Sequence, residues 1–486
     1  MTPLQLSRIA ALTGGRLLGD DLRIDALVTD TRTLAPGATH SSALFVALQG
    51  ERFDGHAHVH EAVAAGVPAA LVSREIAIDG LSQVVVANTE QALAALAAGM
   101  QRQRHTRVIA ITGSNGKTSV KALVGAILQQ AASGSGATIY STPGNRNNEI
   151  GLPLAVIDAP DDAAFAVYEM GTGKPGDIAY LTRIAAPDIA LVNNVAPAHL
   201  ERMGSLLAIA DTKAAVYDAL PAGGVAVINA DDAFAPYFAE RAHGRRILRF
   251  ALEHSADVRA DDVQLQAQAS NFRLSTPAGE AQVRLPLSGR HNIANALAAA
   301  SVALAAGVAL DDIVRGLQAV QPVAGRLHAL TLRNGAVLID DSYNANPGSL
   351  HSAIETLSAD AGEAWLVLGD MRELGPDAAV LHAEAGRRAK AAGIARLYAL
   401  GPLSAQAAQA FGADAMVFES HAALADALRA DLAAAAGVRC LVKGSRGSAM
   451  DRVVSAVLAD PGLAEIGLAD LGLPDRDRAA EAAHAA

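Results

Sequence analysis

A short loop between a strand-like run and a helix-like run carries the residue types that hold phosphate. The stretch VIAITGSNGKTS, residues 108–119, passes from β-branched apolar residues to a glycine-containing loop and then to Lys117 and Thr118. Backbone N–H groups around residues 113–117 can point at phosphate oxygens, the lysine can bridge two phosphates, and the threonine hydroxyl can bind Mg²⁺. The usual G-x-x-x-x-G-K-[ST] pattern is incomplete, because Ile111 replaces the first glycine. A βα turn with an incidental lysine is the alternative interpretation.

Three side chains farther along the chain could join a phosphate site. Glu169 ends one strand-like run and His199 follows another, so both would reach the sheet edge that carries the loop. Lys213 lies in a helix-like segment beyond them. A carboxylate and an imidazole could hold Mg²⁺ beside the phosphates. By themselves, however, a glutamate after a strand, a lone histidine and a helical lysine are common structural residues.

Composition excludes several classes of function. The 486 residues are 51% hydrophobic and 18% charged, which is typical of a globular protein of two or three domains. The net charge is −11 and the basic residues are scattered, so we expect no nucleic-acid partner. The N-terminus lacks the pattern of a signal peptide, and no apolar run approaches the roughly 20 residues that span a bilayer. One cysteine, Cys440, excludes a disulfide framework and favours a buried structural thiol. We therefore predict a cytoplasmic protein without membrane insertion.

The elements that must position these residues follow an alternating pattern. Val/Ile/Leu-rich runs such as RVIAIT, GVAVIN and RCLVKGS alternate with longer helix-like segments, which predicts an α/β fold with mostly parallel sheets. Two breaks divide the chain into three domains and a flexible tail: residues 1–83, 84–321, 322–465 and 466–486. We expect a small α/β domain, a central phosphate-loop domain with a mostly parallel sheet, and a C-terminal Rossmann-like domain.

The loop TGSNGKTS resembles the ATP loop of the Mur ligase superfamily, whose members join a carboxylate to an amine at the expense of ATP. Four more segments resemble its D-alanyl-D-alanine-adding branch: TPGNRNNEIGLPL (142–154), YEMGTGKPGDIAYLTRI (168–184), DDSYNANPGSL (340–350) and LVLGDMRELG (366–375). The resemblance covers the chain except its tail. A diaminopimelate-adding member would carry a D-N-P-R segment in its last domain, which is not found, and a folylpolyglutamate synthetase would lack the opening domain.

The resemblance implies ATP and Mg²⁺ as cofactors. It assigns ATP binding to Gly113, Ser114, Asn115, Gly116, Lys117, Thr118, Ser119, Asn292, Arg326, Asp340, Asp341, Asn344 and Asn346. It assigns one Mg²⁺ to Thr118, Glu169 and His199, and a second Mg²⁺ to Lys213 if its amine is carbamylated. Lys117, His199 and Lys213 are the implied catalytic residues.

The opening domain resembles the UDP-sugar-binding module of these ligases. The implied substrates are UDP-N-acetylmuramoyl-tripeptide and D-alanyl-D-alanine, in a monomeric enzyme. The residues implied in substrate binding are Asp30, Thr31, Arg32, Gly50, Arg52, Asn145, Asn147, Asn148, Lys443, Ser445 and Arg446. The alternating histidines of GHAHVH, residues 55–60, have no accompanying carboxylate cluster, so we interpret His56 as part of the sugar-nucleotide loop at most. Whether the third residue of the tripeptide is diaminopimelate or lysine stays open.

The implied chemistry is activation of a carboxylate. ATP would phosphorylate the terminal carboxylate of the tripeptide, and the dipeptide amine would attack the acyl phosphate and expel phosphate through a tetrahedral intermediate. Three alternatives remain: another amide ligase of the superfamily (diaminopimelate-adding, lysine-adding or folylpolyglutamate synthetase-like), a P-loop NTPase that drives a conformational switch, and a non-catalytic UDP-sugar-binding protein.

Overall fold

A computed structural model describes residues 1–34, 40–50, 53–197, 200–266, 268–359, 362–435 and 437–464. The expected tail, residues 466–486, lies outside this part of the chain. The described residues form a five-stranded, a nine-stranded and a six-stranded sheet, together with a two-stranded ribbon. Helices cover the three larger sheets, which confirms the predicted α/β class with mostly parallel strands. Within the described ranges, no helix is both long and apolar enough to cross a membrane.

The first domain is built on the five-stranded sheet. Its elements are β1 (Leu4–Gln5), α1 (Leu6–Thr13), β2 (Arg16–Leu18), β3 (Arg23–Ile24), β4 (Ala26–Val28), β5 (Ala43–Val46), α2 (Val59–Ala64), β6 (Ala69–Val72) and β7 (Ser82–Val85). Strands β4 to β7 are parallel, and β2 pairs antiparallel with β7. The expected boundary between residues 83 and 84 falls inside β7, which hydrogen-bonds to strands on both sides. We therefore propose that this boundary lies beyond Val85.

The central domain carries the nine-stranded sheet. Its elements are α3 (Thr89–Gln101), β8 (Arg107–Thr112), α4 (Lys117–Ala132), β9 (Thr138–Ser141), α5 (Gly151–Asp158), β10 (Ala163–Glu169), α6 (Asp177–Ala185), β11 (Ile189–Val192), α7 (Leu200–Met203), α8 (Leu206–Asp218), β12 (Val225–Asn229), α9 (Ala235–Arg241), β13 (Arg246–Ala251), β14 (Val258–Gln266), β15 (Ala269–Thr276), β16 (Gly279–Leu285), α10 (Arg290–Ala305) and α11 (Leu310–Ala319). The order is β16-β15-β14-β13-β12-β11-β8-β10-β9, and only β15 runs opposite to the other strands, antiparallel to both β14 and β16.

Two hydrophobic cores flank the central sheet. Helices α4, α10 and α11 pack on one face. On the other face, α3, α5, α6 and α8 share one continuous core with α1 of the first domain, through side chains such as Leu6, Leu93 and Val156. Strand β8 lies in the middle of the sheet and is buried from Val108 to Thr112. This explains why its sequence is continuously apolar rather than alternating.

The C-terminal domain carries the six-stranded sheet. Its elements are β17 (His328–Thr331), β18 (Val337–Asp341), α12 (Pro347–Ala359), β19 (Ala364–Gly369), α13 (Ala378–Ala391), β20 (Arg396–Leu400), α14 (Ser404–Phe411), β21 (Ala415–Phe418), α15 (His421–Ala434), β22 (Arg439–Lys443) and α16 (Asp451–Leu458). The order is β17-β18-β22-β19-β20-β21, and only β17 is antiparallel. Cys440 is buried within β22. The second proposed boundary, between residues 321 and 322, falls between α11 and β17.

Candidate functional site

The phosphate loop connects β8 to α4, in the order predicted from the sequence. Gly116 has φ of +78°, and Lys117 begins the helix. The first N–H groups of a helix have no partner inside it and favour anions. Lys117 Nζ donates to the carbonyl of Gly113 at 2.7 Å. Burial lowers the pKa of Lys117, Glu169 opposes this shift, and Arg326 adds to it.

Asn194, which follows β11, binds part of this loop. The N–H of Ser114 donates to the carbonyl of Asn194 at 2.9 Å, and the N–H of Asn115 donates to its Oδ1 at 2.8 Å. Without a nucleotide, the neighbouring strand end accepts from the N–H groups of both Ser114 and Asn115, and their assignment to phosphate stays a prediction. The start of α4 is the other part of the predicted anion-binding segment.

Glu169, the last residue of β10, lies beside Thr118. The hydroxyl of Thr118 donates to Glu169 Oε2 at 3.0 Å, and Asn147 Nδ2 donates to Oε1 at 2.7 Å. The carboxylate is 2% exposed. Burial raises its pKa, but Lys117 and Lys121 outweigh this effect, and the pKa stays below its usual value. A hydroxyl and an ionised carboxylate in contact are hard oxygen donors, which fit Mg²⁺.

Lys213 lies in α8 and lines the same site. It is 2% exposed, and it has no hydrogen-bond or ion-pair partner among the described residues. Burial, and then the charge of Lys117, lower its pKa well below the usual value. A neutral amine is the form that can react with CO₂, so the environment fits the carbamylation that the resemblance implied. Two other predicted residues, His199 and Arg52, lie outside the described residues.

Asn193 and Asn229, which the sequence did not indicate, join the predicted Asn292 in an asparagine network behind the loop. Asn193 Nδ2 donates to the carbonyl of Asn115 and to Asn295 Oδ1, both at 3.0 Å. Asn229 Nδ2 donates to the carbonyl of Asn193 at 2.9 Å, and Asn295 Nδ2 donates to Asn292 Oδ1 at 3.4 Å. The available signal was the polar residues that follow the apolar runs of β11 and β12.

The C-terminal domain contacts the loop directly. Arg326 Nη2 donates to Thr118 Oγ1 at 3.4 Å, and its guanidinium stacks 4.0 Å from the ring centre of Tyr343. Asn346 Nδ2 donates to Asn115 Oδ1 at 2.7 Å. Burial lowers the pKa of Arg326, although Asp341 acts in the opposite direction. Charge from a second domain thus reaches the phosphate loop.

A buried ion pair lies behind this contact. Asp341 and Lys443 are register partners on β18 and β22, and Lys443 Nζ lies 2.5 Å from Asp341 Oδ2. Lys443 also donates to the carbonyl of Asn344 at 3.0 Å. The neighbouring Asp340 instead accepts from the N–H groups of Ser342 and Gly325, so it stabilises the local turn.

A cavity of about 580 Å³ lies between the central and C-terminal domains. The predicted residues that line it are Gly113, Ser114, Asn115, Gly116, Lys117, Thr118, Ser119, Asn147, Asn148, Glu169, Lys213, Asn292, Arg326, Asp341, Asn344, Asn346 and Lys443. The predicted residues Asp340, Asn145, Ser445 and Arg446 are not among its lining residues. Ser445 Oγ accepts from the N–H of Arg372 and donates to the carbonyl of Ala345. Lys174 and Arg202 also line the cavity and were not predicted.

The predicted residues of the first domain lie apart from this cavity. Arg32 is paired with Asp30, and Thr31 donates to Glu61 at 2.9 Å. Gly50 lines a smaller cavity of about 280 Å³, together with Ser73 and Asn88.

His56 is tied into this part of the first domain by both ring nitrogens. Nδ1 contacts Asp54, and Nε2 accepts from the N–H of Ser73 at 2.9 Å. His56 therefore fastens its loop to the end of β6.

Three family models match consecutive parts of the chain. Residues 23–114 match the model described as Mur ligase family, catalytic domain. Residues 111–303 match the Mur ligase middle domain, and residues 325–446 match the Mur ligase, glutamate ligase domain. The matches together cover strands of all three larger sheets.

Curated relatives and solved structures are similar over nearly the whole length. The UDP-N-acetylmuramoyl-tripeptide--D-alanyl-D-alanine ligase of Escherichia coli strain K12 is 42% identical, covering 94% of this chain and 99% of that protein. The protein of the same name from Bacillus subtilis strain 168 is 33% identical, covering 90% and 94%. MurF from Acinetobacter baumannii has a TM-score of 0.87 and 33% identity, covering 95% of this chain and 100% of that one. MurF from Thermotoga maritima, solved in complex with ADP, has a TM-score of 0.76 and 26% identity, covering 89% and 96%.

Proposed function

The chain belongs to the Mur ligase family, and we propose that it adds D-alanyl-D-alanine to UDP-N-acetylmuramoyl-tripeptide at the expense of ATP. The substrates are those in the names of its relatives in Escherichia coli and Bacillus subtilis. Similarity to these ligases extends through the first domain, which a folylpolyglutamate synthetase-like ligase or a phosphate-loop switch would leave unexplained.

One observation carries the proposal: Lys117, Glu169, Lys213 and Arg326 line a single cavity between two domains. Transfer of a phosphoryl group requires charge neutralisation and alignment more than a covalent nucleophile from the protein. Lys117 and Arg326 supply cationic charge, and the start of α4 supplies N–H donors. The T. maritima relative, whose structure contains ADP, supports a nucleotide in this cavity.

In the first step, an oxygen of the tripeptide carboxylate attacks the γ-phosphorus of ATP and ADP leaves, which gives an acyl phosphate. We assign Lys117 and Arg326 to the phosphate oxygens and Asn292 to the nucleotide. Thr118, Glu169 and His199 would hold one Mg²⁺, and a carbamylated Lys213 would hold a second. Mg²⁺ supplies positive charge to the phosphates when bound.

In the second step, the dipeptide amine attacks the acyl carbon. The tetrahedral intermediate expels phosphate, the amine loses a proton, and the amide bond remains. We assign the carboxylate of the dipeptide to the segment that contains Lys443, Ser445 and Arg446. Of these residues, Arg446 is the most accessible: its side chain is 64% exposed, whereas Lys443 and Ser445 are buried.

The first domain would hold the UDP-sugar end of the donor. Asp30, Thr31, Arg32, Gly50 and Arg52 are assigned to it, and Asn145, Asn147 and Asn148 to the part of the donor nearer the phosphate loop. We further propose a monomeric enzyme that works in the cytoplasm, where ATP is supplied.

The proposal is tested by incubating the purified chain with ATP, UDP-N-acetylmuramoyl-tripeptide and D-alanyl-D-alanine. We expect one phosphate and one pentapeptide product per ADP, only when both peptides are present. Phosphate release without the dipeptide would instead support a P-loop NTPase that drives a conformational switch, and it would overturn the proposal. Parallel reactions with the diaminopimelate and lysine tripeptides identify the third residue by kcat/KM.

A lysine substitution tests the assigned site. Lys117→Ala should lower kcat by about 10²–10³-fold, since it removes the positive charge that the protein holds in place beside the transferring phosphoryl group. Lys390→Ala is the matched control, because Lys390 is an exposed lysine paired with Asp414 far from the cavity. Near-normal turnover of Lys117→Ala would contradict the assignment.

A further inference from the structure

Lys121 is a buried lysine that the reaction described above does not use. It lies on α4, three residues after Thr118 and four after Lys117, so that all three share one side of the first helical turns. It is 7% exposed. It does not line the cavity between the domains.

The ammonium group of Lys121 has three partners. Nζ donates to the carbonyl of Thr142 at 2.9 Å and to the carbonyl of Gly144 at 2.8 Å. It lies 3.3 Å from Oε2 of Glu169. Two of the three N–H donors of the ammonium are hydrogen-bonded to these carbonyls, and the nearby carboxylate balances its charge. Such pairing is what a buried charge requires.

These partners belong to two different parts of the site. Glu169 ends β10 and is the carboxylate that contacts Thr118. Residues 142–144 follow β9 and lead to Asn147, whose side chain binds the other oxygen of Glu169 at 2.7 Å. The N–H of Glu169 also donates to Thr142 Oγ1 at 3.1 Å. Lys121 thus closes a ring of contacts that joins the carboxylate to the turn.

We propose that Lys121 is a positioning residue for the ligase reaction, which holds the Glu169 carboxylate and the turn at residues 142–148 in one fixed arrangement. The distance between a divalent cation bound at the Glu169 carboxylate and a donor substrate bound along the turn is then fixed. The part of the inference that concerns the donor substrate rests on the proposed function. The part that concerns the cation rests only on the contacts of Glu169.

The primary experiment compares Mg²⁺-dependent ADP binding by calorimetry in the intact protein and in Lys121→Met. Without Lys121, the Glu169 carboxylate loses its cationic partner and two carbonyls lose their donor. We expect the gain in ADP affinity on adding Mg²⁺ to shrink by about tenfold or more, as is typical when the support of a metal ligand is removed. ADP affinity in EDTA should be unchanged. Because this readout needs no turnover, it remains valid if the proposed substrates are wrong.

Steady-state kinetics test the second half of the inference. KM for the UDP-linked tripeptide should rise about fivefold or more in Lys121→Met, since a misplaced turn weakens substrate alignment. KM for D-alanyl-D-alanine should stay the same, because the acceptor is assigned to the other domain. A lower kcat with every KM unchanged would contradict the positioning role.

Two further variants separate positioning from general stability. Arg104→Met removes another buried cation of the central domain, which pairs with Asp161 at 2.7 Å and lies away from the phosphate loop. It should lower thermal stability without changing the effect of Mg²⁺ on ADP affinity. Lys121→Gln keeps N–H donors at the site and replaces Lys121→Met if that variant does not fold. A wild-type Mg²⁺ effect in the folded Lys121 variant, or an equal loss in Arg104→Met, would overturn the proposal.

Discussion

Asn346 in the C-terminal domain donates a hydrogen bond of 2.7 Å to Oδ1 of Asn115 in the phosphate loop. Oδ1 of Asn346 accepts from the N–H of Ser349 at 2.9 Å, at the beginning of α12. One side chain therefore starts a helix and also touches the loop of another domain. The position of the C-terminal domain is thereby linked to the conformation of the loop.

Asn346→Asp should separate these two roles. Aspartate is a good N-cap and keeps the acceptor for Ser349, but it has no N–H to offer Asn115. We expect kcat to fall by up to about tenfold, which corresponds to the roughly 1 kcal/mol of one hydrogen bond, while the unfolding free energy stays the same. Turnover and urea unfolding measure the two effects.

Asn334→Asp is the matched control for this substitution. Asn334 also donates through Nδ2, to the carbonyl of Leu432, and accepts through Oδ1 from the N–H of Ala336. All its contacts lie inside the C-terminal domain. Asn334→Asp should lower the free energy of unfolding and leave kcat unchanged. Equal losses of kcat in Asn346→Asp and Asn334→Asp would argue against a link between the domains.

Gly116→Ala should weaken nucleotide binding. The residue has φ of +78°, and a Cβ atom would lie 2.5 Å from Asn295 Oδ1 and 2.6 Å from Asn193 Nδ2. Gly136→Ala is the control, since φ is +68° there and a Cβ atom would meet nothing within 4 Å. Both variants carry a left-handed backbone penalty of about 1–2 kcal/mol. Only Gly116→Ala should weaken ADP binding by calorimetry, and similar affinities would show that the asparagine network tolerates the added methyl group.

Lys213→Met should stabilise the protein near neutral pH in buffer free of bicarbonate and Mg²⁺. Burial holds the pKa of Lys213 well below 10.5, so between that lowered pKa and 10.5 the amine binds fewer protons in the folded state than in the unfolded state. The unfolded state binds the extra proton, and folding therefore becomes more favourable as pH rises through this window. The advantage of methionine should shrink by about 1.4 kcal/mol per pH unit toward pH 10.5. A difference independent of pH, measured by urea unfolding, would contradict the shifted pKa.

Lys443→Met should destabilise the C-terminal domain by about 3–5 kcal/mol, because Asp341 is left buried without its partner. Burial raises the pKa of Asp341, and Lys443 opposes that shift. Adding Asp341→Asn should restore part of the loss, and a double-mutant cycle in urea measures the coupling. Lys390→Met breaks an exposed pair and should cost less than about 1 kcal/mol. Additive effects of the two buried substitutions would show that the pair is not coupled.

The sequence predicted the features that depend on local pattern. The runs RVIAIT, GVAVIN and RCLVKGS are strands β8, β12 and β22, and Glu169 lies at a strand end beside Thr118. The contacts of Asn194 and Lys121 could not be predicted in this way. They depend on which strands are neighbours: Thr112 on β8 is the register partner of Val192 on β11, and this places Asn194 against a loop some 80 positions earlier in the chain.

The asymmetry of the two Asp residues in DDSY has the same origin. Local sequence does not distinguish Asp340 from Asp341. The parallel pairing of β18 with β22 places Lys443 opposite Asp341, whereas Asp340 accepts from the N–H of Ser342 in its own turn and from the N–H of Gly325, which precedes β17. Strand order, rather than the motif, decides which of the two carboxylates faces the cavity.

The hydrophobic core shared by α1, α3 and α5 makes the first and central domains a single block. The donor, whose nucleotide end we propose binds to the first domain, has to reach the phosphate loop across the length of this block. The length of this block therefore sets the length of donor peptide that can reach the phosphate loop. A donor with one amino acid fewer should bind through its nucleotide and yet leave its carboxylate short of the phosphate.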